Sequence, residues 1–320
     1  MSSLTAGPTS NHQTPKATPR RKVVCFGMIT PARVLVVDEL PDWNSGAVWT
    51  EGAEFVSDDA AIVAGLLAGW GVDAELLGSA LGDDDSGRRT VELLSKMGIR
   101  GHFELRKGIE TPFEVNVSDS RGGRTYYWNR RPELLRTLDD ADLSALRNAR
   151  MLYVDWYDAP HIERAMSHAR RLDVPVFLNI EHGHQDADIL ASLAPYATVC
   201  QAVTDASQLG GDAKQVAKLL VENGVSSALV TLASQGAVGM QNGTVIHVEA
   251  PALDVVDTCG AGATFSAGYI NSWSKGSDFE RSLKFAVAAA SLKCSVVGPK
   301  AFPPEEVNKL ADTLSVTRMS

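Results

Sequence analysis

Residues 253–268 read Leu-Asp-Val-Val-Asp-Thr-Cys-Gly-Ala-Gly-Ala-Thr-Phe-Ser-Ala-Gly. The centre of this stretch, Gly260-Ala261-Gly262, is a glycine-rich turn, and a helical pattern follows from Thr264 to about Trp273. A glycine-rich turn at a helix N-terminus presents free backbone N–H groups and the positive end of the helix dipole. The stretch therefore predicts an anion site suited to phosphate, although a plain strand-to-helix connection shows the same glycine spacing.

The flanking residues carry a resemblance to a known family. Asp257 to Ala263 resemble the Asp-Thr-x-Gly-Ala-Gly-Asp signature of the PfkB (ribokinase-like) carbohydrate kinases, in which the glycine turn is an anion hole. The last aspartate of that signature is Ala263 here. In the family this carboxylate takes the proton of the acceptor hydroxyl while ATP delivers its γ-phosphoryl group. Because a methyl group cannot accept a proton, the resemblance implies a kinase fold without its general base.

The fold class follows from the order of the patterns. From residue 149 onward, apolar strand patterns alternate with helical spacing, which predicts right-handed βαβ crossovers and a mainly parallel sheet. The strand candidates are Met151–Asp155, Val174–Asn179, Ala197–Gln201 and Ala228–Leu232, and the helix candidates are His161–Leu172, Ala187–Leu193 and Ala213–Asn223. We expect an α/β fold, a doubly wound and mainly parallel sheet, with a small β-sheet contributed by the first 130 residues.

The resemblance covers about residues 22–305 and adds detail to this architecture. It implies one ribokinase-like domain over 22–320 in which strands from about 32–56 and 112–130 form a small β-sheet lid over the sugar site. In relatives the lid often builds a dimer contact, so a homodimer through the lid is a further expectation. Residues 1–21 are rich in Ser, Thr and Pro and poor in apolar residues, which predicts a disordered tail.

Bulk composition excludes several classes of partner. The net charge is −9, and an acidic surface argues against nucleic acid and against anionic membranes as partners. No apolar run approaches the roughly 20 residues of a membrane span. The four cysteines have neither close pairing nor metal-type spacing, which favours free thiols and a cytoplasmic protein.

Two segments resemble the nucleotide side of the family. Val230–Gly236 is similar to Val-Thr-Leu-Gly-x-x-Gly, with Thr231 and Gly236 retained but Ala233 in place of the first glycine. If that position needs a positive φ, alanine is strained there. The resemblance implies that this segment holds nucleotide phosphates and ribose.

The helical pattern ending at Cys294, with the loop containing Gly298, resembles the adenine side of the family, although simple helix packing explains it equally well. The resemblance also implies a potassium ion held by Asp257 and the loop near Ser295–Gly298. The family element that organises Mg²⁺, Asn-x-x-Glu, aligns with residues 202–205, where Asp205 keeps a carboxylate and the amide is lost. A helix N-cap is the alternative role for Asp205.

The acceptor side departs from the family. Ala32 stands where relatives have an aspartate that grips sugar hydroxyls, and Ile62 stands where they have an asparagine. A site without these hydrogen-bond partners discriminates poorly for its substrate hydroxyls.

Other polar residues offer a new acceptor pocket: Asp58 in place of a glycine, Asn116 and Arg124 in the lid, and Glu181 at a strand end. An arginine there can grip an anionic ligand, and a solvated face with surface ion pairs is the alternative.

Two functions follow. The first is a pseudokinase or strongly impaired phosphotransferase that still binds ATP, and the second is an active or engineered-inactive kinase. The second would phosphorylate a hydroxyl of a sugar or related small molecule, including an anionic one. The general base typically contributes about 10²–10⁴-fold in rate. Because the departures are spread over several segments, the sequence favours a natural non-catalytic relative or a strongly repurposed kinase over an engineered knockout.

Overall fold

The computed structural model describes residues 22–119, 123–204 and 212–319. The predicted tail at 1–21 and the candidate metal ligand Asp205 lie outside the described residues.

Within these ranges the chain forms sixteen β-strands and nine α-helices. In chain order, the strands are β1 (Lys22–Gly27), β2 (Thr30–Val37), β3 (Trp49–Ser57), β4 (Ala74–Gly78), β5 (Leu81–Gly82), β6 (Arg100–Gly101), β7 (Leu105–Arg106), β8 (Glu114–Asp119), β9 (Arg124–Trp128), β10 (Ala149–Asp155), β11 (Val176–Glu181), β12 (Val199–Val203), β13 (Ser227–Thr231), β14 (Ala237–Gln241), β15 (Thr244–Val248) and β16 (Val316–Met319). The helices are α1 (Asp59–Gly69), α2 (Asp85–Lys96), α3 (Pro132–Leu135), α4 (Glu163–Arg171), α5 (Ala187–Leu193), α6 (Ala213–Glu222), α7 (Ala261–Ser274), α8 (Phe279–Cys294) and α9 (Pro304–Thr313).

Ten strands build the large sheet, in the order β16-β15-β14-β13-β12-β11-β10-β1-β4-β6. The pairs from β13 to β6 are parallel, whereas β14, β15 and β16 add an antiparallel edge. The predicted mainly parallel α/β sheet is therefore confirmed. Strand order reverses at β1, which has β10 on one side and β4 on the other, and ligands of open α/β sheets bind at such a switch point.

Helices cover both faces of this sheet. Successive residues of a strand point to opposite faces. On β10, Tyr153 packs into the cluster that contains α1, α7 and α8, whereas its neighbour Leu152 packs into the cluster that contains α4, α5 and α6. On the first face, the rings of Tyr153, Phe177 and Tyr269 form a continuous stack with centroid separations of 5.7 and 6.0 Å. These two cores hold the strand ends, and with them the site, in place.

Four strands form a second, smaller sheet in the order β3-β2-β8-β9. The β2–β3 and β8–β9 pairs are antiparallel, and β2 and β8 pair in parallel. These strands lie within the two segments from which the sequence predicts a small sheet, except that β2 begins two residues earlier and β3 ends one residue later. Ser118 of β8 donates a hydrogen bond to Asp257 at 2.7 Å, so the small sheet contacts the main body through a buried polar contact.

The antiparallel edge was absent from the sequence-based expectation. Its signal is the dipeptide Asn242-Gly243, where both residues have positive φ, of 50° and 76°. Asn-Gly with two positive φ angles is typical of the tight turn that joins two antiparallel strands, here β14 and β15. None of the helices in the described part of the chain is long and apolar enough to cross a membrane.

Candidate functional site

A cleft of about 960 Å³ lies between the small sheet and the carboxyl ends of the parallel strands. Asp155, the last residue of β10, and Glu181, the last residue of β11, line its floor, and Trp128 of β9 lies on the opposite wall. The cleft therefore coincides with the switch point of the sheet. At one end it reaches the turn before α7, through Thr258, Cys259 and Gly260.

Helix α7 begins directly after a residue in the left-handed backbone conformation. Gly260 is the N-cap residue with φ 75° and ψ 10°, a region that glycine adopts without strain. No side chain of the described residues caps this helix, but the Ala261 N–H donates to the Thr258 carbonyl at 3.2 Å. The N–H groups of Gly260 and Gly262 are therefore the ones that can bind another acceptor. Ala261 and Gly262 form the first helical positions, whereas the Ala263 side chain is only 1% exposed and supplies no polar atom. The predicted glycine turn at a helix entry is present at the cleft.

A carboxylate from another element lies beside that turn. A β-carbon built on Gly262 would be 3.9 Å from Oε1 of Glu181. Oε2 of Glu181 accepts a hydrogen bond from the Tyr157 hydroxyl at 2.9 Å. Glu181 has φ 40°, an uncommon conformation for a residue with a side chain. The sequence singled out Glu181 for the acceptor side, but not for this proximity to the helix entry.

Asn179 brings three carboxylates together on the cleft floor. Its amide group donates to Asp59 at 3.0 Å, to Asp155 at 2.9 Å and to Glu181 at 3.5 Å. Burial, with the charges of Glu181 and Asp58, raises the pKa of Asp59 to about 8. Burial and the charge of Asp59 likewise raise the pKa of Asp155 well above its usual value. The floor therefore holds protons that isolated carboxyl groups would have lost at neutral pH.

Sequence reasoning missed Asp155 and Asp158. The available signal was position, because both follow or end the predicted strand Met151–Asp155 at the sheet edge where ligands bind. Arg130 pairs with Asp158 and also lies 3.3 Å from Asp58. The backbone N–H of Met28 donates to Asp158 at 2.9 Å. Burial raises the pKa of Asp158 to about 6, even though the Arg130 guanidinium opposes that rise.

The structure brings four of the six sequence-based acceptor candidates to the cleft wall, namely Asp58, Ile62, Arg124 and Glu181. Arg124 Nη1 donates to the Thr258 hydroxyl at 3.1 Å, which connects β9 to the turn before α7.

The structure does not bring Ala32 and Asn116 to the wall. Ala32 packs in the hydrophobic core. Asn116 is fully buried, and its amide donates to Glu114 at 2.8 Å inside the small sheet. Asn116 is on the same face of β8 as Glu114, which does line the cleft, since every second residue of a strand points the same way.

The nucleotide-side loop follows β13 and lies at the same cleft. Leu232, Ala233 and Gln235 line the wall. Thr231 ends the strand, and its hydroxyl donates to the Ala202 carbonyl at 3.4 Å. Ala233 has φ 49°. The position therefore does need a positive φ, and the alanine that replaces the family glycine is strained there. Gly236, with φ 90°, lies against the backbone of Val248, where a β-carbon would clash at 2.0 Å.

Asp257, Cys294 and Gly298 lie behind the cleft and do not line it. Asp257 is fully buried, and its Oδ2 lies 2.8 Å from the Lys293 ammonium, which is also fully buried. Burial alone would raise the pKa of Asp257, but the Lys293 charge and the hydrogen bonds to the carboxylate bring it below the usual range. The Cys294 carbonyl accepts from the N–H groups of Val256 and Asp257 at 2.8 and 3.2 Å.

Magnesium ligands are sparse in the described residues. Residues 22–119, 123–204 and 212–319 contain no group of three or more His, Cys, Asp or Glu side chains arranged for a metal ion. Ala202 is fully buried and has no ligand atom in its side chain. The Thr204 hydroxyl lines the cleft wall, is buried and has no hydrogen-bond partner among the described residues. These residues do not assemble a protein site for Mg²⁺.

Comparisons with known proteins find relatives over most of the chain. The model of the pfkB family carbohydrate kinases matches residues 59–306. The ATP-dependent ribose-1-phosphate kinase of Halopiger xanaduensis is 28% identical over 296 residues, which cover 88% of this chain and 95% of that protein.

Solved structures share the fold. The ribokinase of Thermotoga maritima superposes with a TM-score of 0.75 at 19% identity, covering 92% of this chain and 100% of that one. The Arabidopsis thaliana ribokinase complexed with ribose and ATP superposes with a TM-score of 0.70 at 22% identity, covering 92% and 99%.

Proposed function

The chain belongs to the pfkB family of carbohydrate kinases, and on that premise we propose that it transfers the γ-phosphoryl group of ATP to a hydroxyl of a small polyhydroxylated acceptor. The observation that carries the proposal is the Glu181 carboxylate beside the first turn of α7. It supplies a carboxylate next to Gly262, which precedes Ala263, the position from which the family aspartate is missing. The pseudokinase hypothesis rests on the loss of that aspartate together with the other departures from the family, at Ala202 and on the acceptor side.

The reaction needs three groups that this chain provides. The acceptor hydroxyl enters the cleft between Glu181 and the α7 turn. Glu181 takes the hydroxyl proton as the acceptor oxygen bonds to the γ-phosphorus and the bond from that phosphorus to the β-phosphate oxygen of ATP breaks, releasing ADP. The N–H groups of Gly260 and Gly262 stabilise negative charge on the transferring phosphoryl group. Tyr157 orients the carboxylate through its hydrogen bond at 2.9 Å.

The acceptor half of the cleft selects for hydroxyl groups. Asp58, Asp59 and Asp155 contribute carboxyl oxygens, and protonated members of the set also donate hydrogen bonds. Arg130 is already paired with Asp58 and Asp158 and does not compensate the remaining acidic groups. The arrangement favours a neutral or amine-bearing polyol over one with a phosphate beside Glu181, because like charges repel across a desolvated cleft.

The nucleotide occupies the other half. Its phosphates approach the α7 turn and its remaining part follows the loop from Leu232 to Gln235. Magnesium would bind mainly through nucleotide phosphates and water, so it would need few protein ligands. The candidate ligands are the Thr204 hydroxyl and, from the sequence, Asp205. Neither residue is assigned a step in the reaction.

A homodimer through the lid and a cytoplasmic location stay predictions. The dimer is supported by large apolar side chains on or beside the small sheet, since Trp43 is 96% exposed and Val48 is 84% exposed. Exposed apolar patches of this kind mark interaction surfaces.

The second candidate is the nucleotide-binding pseudokinase. It is favoured by the buried methyl group of Ala263 and by Ala202, which has no amide for the metal-organising element. In that case the cleft binds nucleotide, and the acidic floor serves binding alone.

One assay separates the two candidates. The protein is incubated with ATP, Mg²⁺ and a panel of pentoses, hexoses, nucleosides and amino sugars, and ADP release is measured beside nucleotide binding by thermal shift. Turnover on one acceptor class supports the kinase. Nucleotide binding without turnover on the whole panel supports the pseudokinase, and absence of nucleotide binding contradicts both.

A further inference from the structure

The potassium ion implied by the family does not fit the residues of this chain. The implied ligands are Asp257 and the loop near Ser295–Gly298. Between them lies the ammonium group of Lys293, which reaches in from α8 and donates to the main-chain oxygen of Asp257 at 2.6 Å and to its Oδ2 at 2.8 Å. Both side chains are fully buried.

The Asp257 carboxylate has no acceptor position left for an ion. Oδ1 accepts from the Ser118 hydroxyl at 2.7 Å and from the Cys259 N–H at 2.8 Å. Oδ2 accepts from Lys293 and from the Gly298 N–H at 2.9 Å. A carboxylate offers about four lone-pair positions, and all four are used here.

Charge excludes the ion as strongly as geometry does. Asp257 and Lys293 neutralise each other in an environment without water contact. A potassium ion at the same carboxylate would place a second positive charge beside the ammonium group, where repulsion is weakly screened. A lysine ammonium is a compact charge with three rotatable N–H donors, and like potassium it is satisfied by oxygen ligands at short range.

We propose that Lys293 is a built-in replacement for the monovalent cation, so that the chain holds its catalytic turn without potassium. The Asp257–Lys293 pair joins four segments: strand β8 through Ser118, the turn before α7 through Cys259, helix α8, and the loop at Gly298. It therefore does what a bound cation would do, which is to fix the start of α7 relative to its surroundings. The inference goes beyond the proposed function, because it holds whether or not the chain turns over a substrate.

The unmodified protein provides the first test. Its Tm and its affinity for ATP are measured in potassium, sodium and tetramethylammonium chloride at constant ionic strength. We expect the three salts to give the same Tm and the same affinity. Specific stabilisation by potassium, or a gain in ATP affinity of about tenfold in potassium alone, would overturn the proposal.

The second test exposes the cation position. Lys293→Met leaves Asp257 buried without its counter-charge, which we expect to lower the Tm by about 5–10 °C in tetramethylammonium. Potassium, which fits among the vacated oxygen ligands, should recover part of that loss. Lys284→Met, on the same helix, is the matched control and should show no dependence on the salt.

A folded Lys293→Met variant that ignores potassium would also overturn the proposal. If this variant does not fold, Asp257→Asn/Lys293→Met removes both charges, and we expect it to fold better than the single variant in every salt. Failure of the double variant to improve on it counts against the proposal. The Tm and the ATP affinity do not depend on turnover. If the protein lacks kinase activity but its Tm and ATP affinity do not respond to potassium, only the proposed function is refuted. If turnover depends on potassium, only this inference is refuted.

Discussion

Arg130 pairs with Asp158 at the cleft, and this contact connects the segment after β9 to the turn that follows β10. The guanidinium group also lies 3.3 Å from Asp58, and the side chains of Asp158 and Asp58 are only 3% and 12% exposed. One arginine thus compensates two acidic groups, one ahead of α1 and one beyond β10. This contact holds the small sheet at the position where it forms one wall of the cleft.

Removal of this arginine should be costly. Arg130→Met leaves Asp158 and Asp58 without a counter-charge, and breaking a buried ion pair destabilises proteins by about 3–5 kcal/mol. We expect a loss of that order in urea unfolding at neutral pH. Arg131→Met is the control, because Arg131 pairs with Glu110 through side chains that are about half exposed, and such surface pairs contribute about 0–1 kcal/mol. If Arg130→Met and Arg131→Met lowered the free energy of unfolding equally, the Arg130 ion pairs would contribute no more than a surface pair.

Glu181 should carry the proton transfer. Glu181→Gln keeps the size of the side chain but removes its basicity, so we expect phosphorylation of the acceptor to fall by about 10²–10⁴-fold while ADP binding is retained. Glu222→Gln, at the end of α6, is the matched control with full activity.

Position 263 provides the complementary test of Glu181. In the Glu181→Gln background, Ala263→Asp should restore most of the lost rate, because it returns a carboxylate to the helix entry. In the unmodified background the same substitution should have a smaller effect. Full turnover by Glu181→Gln would rule out this residue as the proton acceptor.

Asp59 should make the fold less stable as pH rises. Its pKa is about 8 in the folded chain, mainly because of burial, against about 4 for an exposed aspartate. Between these values the folded state retains a proton that the unfolded state has lost, so stability decreases from about pH 4 toward pH 8.

Asp59→Asn removes this titration. We expect it to raise the free energy of unfolding at about pH 8 by about 1–3 kcal/mol relative to the unmodified chain, with a smaller difference near pH 5. Asp254→Asn, at an exposed position, is the control and should not alter the pH profile. Parallel profiles for the unmodified chain and Asp59→Asn would refute the raised pKa.

Ala233 should be a site where glycine is better. An alanine at φ 49° is strained by about 1–2 kcal/mol, and a glycine there costs about 0.4–1 kcal/mol through a more flexible unfolded chain. We therefore expect Ala233→Gly to stabilise the protein by up to about 1 kcal/mol in urea unfolding. Ala237→Gly, in the neighbouring strand β14, should destabilise it instead. A loss of stability in Ala233→Gly would mean that the surrounding contacts relieve the strain.

Local patterns were sufficient for much of the fold. The alternation after residue 149 predicted strands and helices within a few residues of their observed ends, for example Ala187–Leu193, which is exactly α5. This works because hydrophobic periodicity is a property of neighbouring residues. The antiparallel edge was not predicted, and its strongest sequence signal is the single turn dipeptide between β14 and β15.

The sequence by itself determined that this chain has a glycine turn at a helix entry and no carboxylate at position 263, because both are statements about consecutive residues. Only the tertiary structure decided that Glu181 lies beside that turn and that Lys293 meets Asp257. Such meetings join residues dozens of positions apart, and they depend on strand order and helix packing across the whole sheet. The sequence determines the charge and length of each side chain. Which charged groups come into contact is determined only by the packing of the two hydrophobic cores.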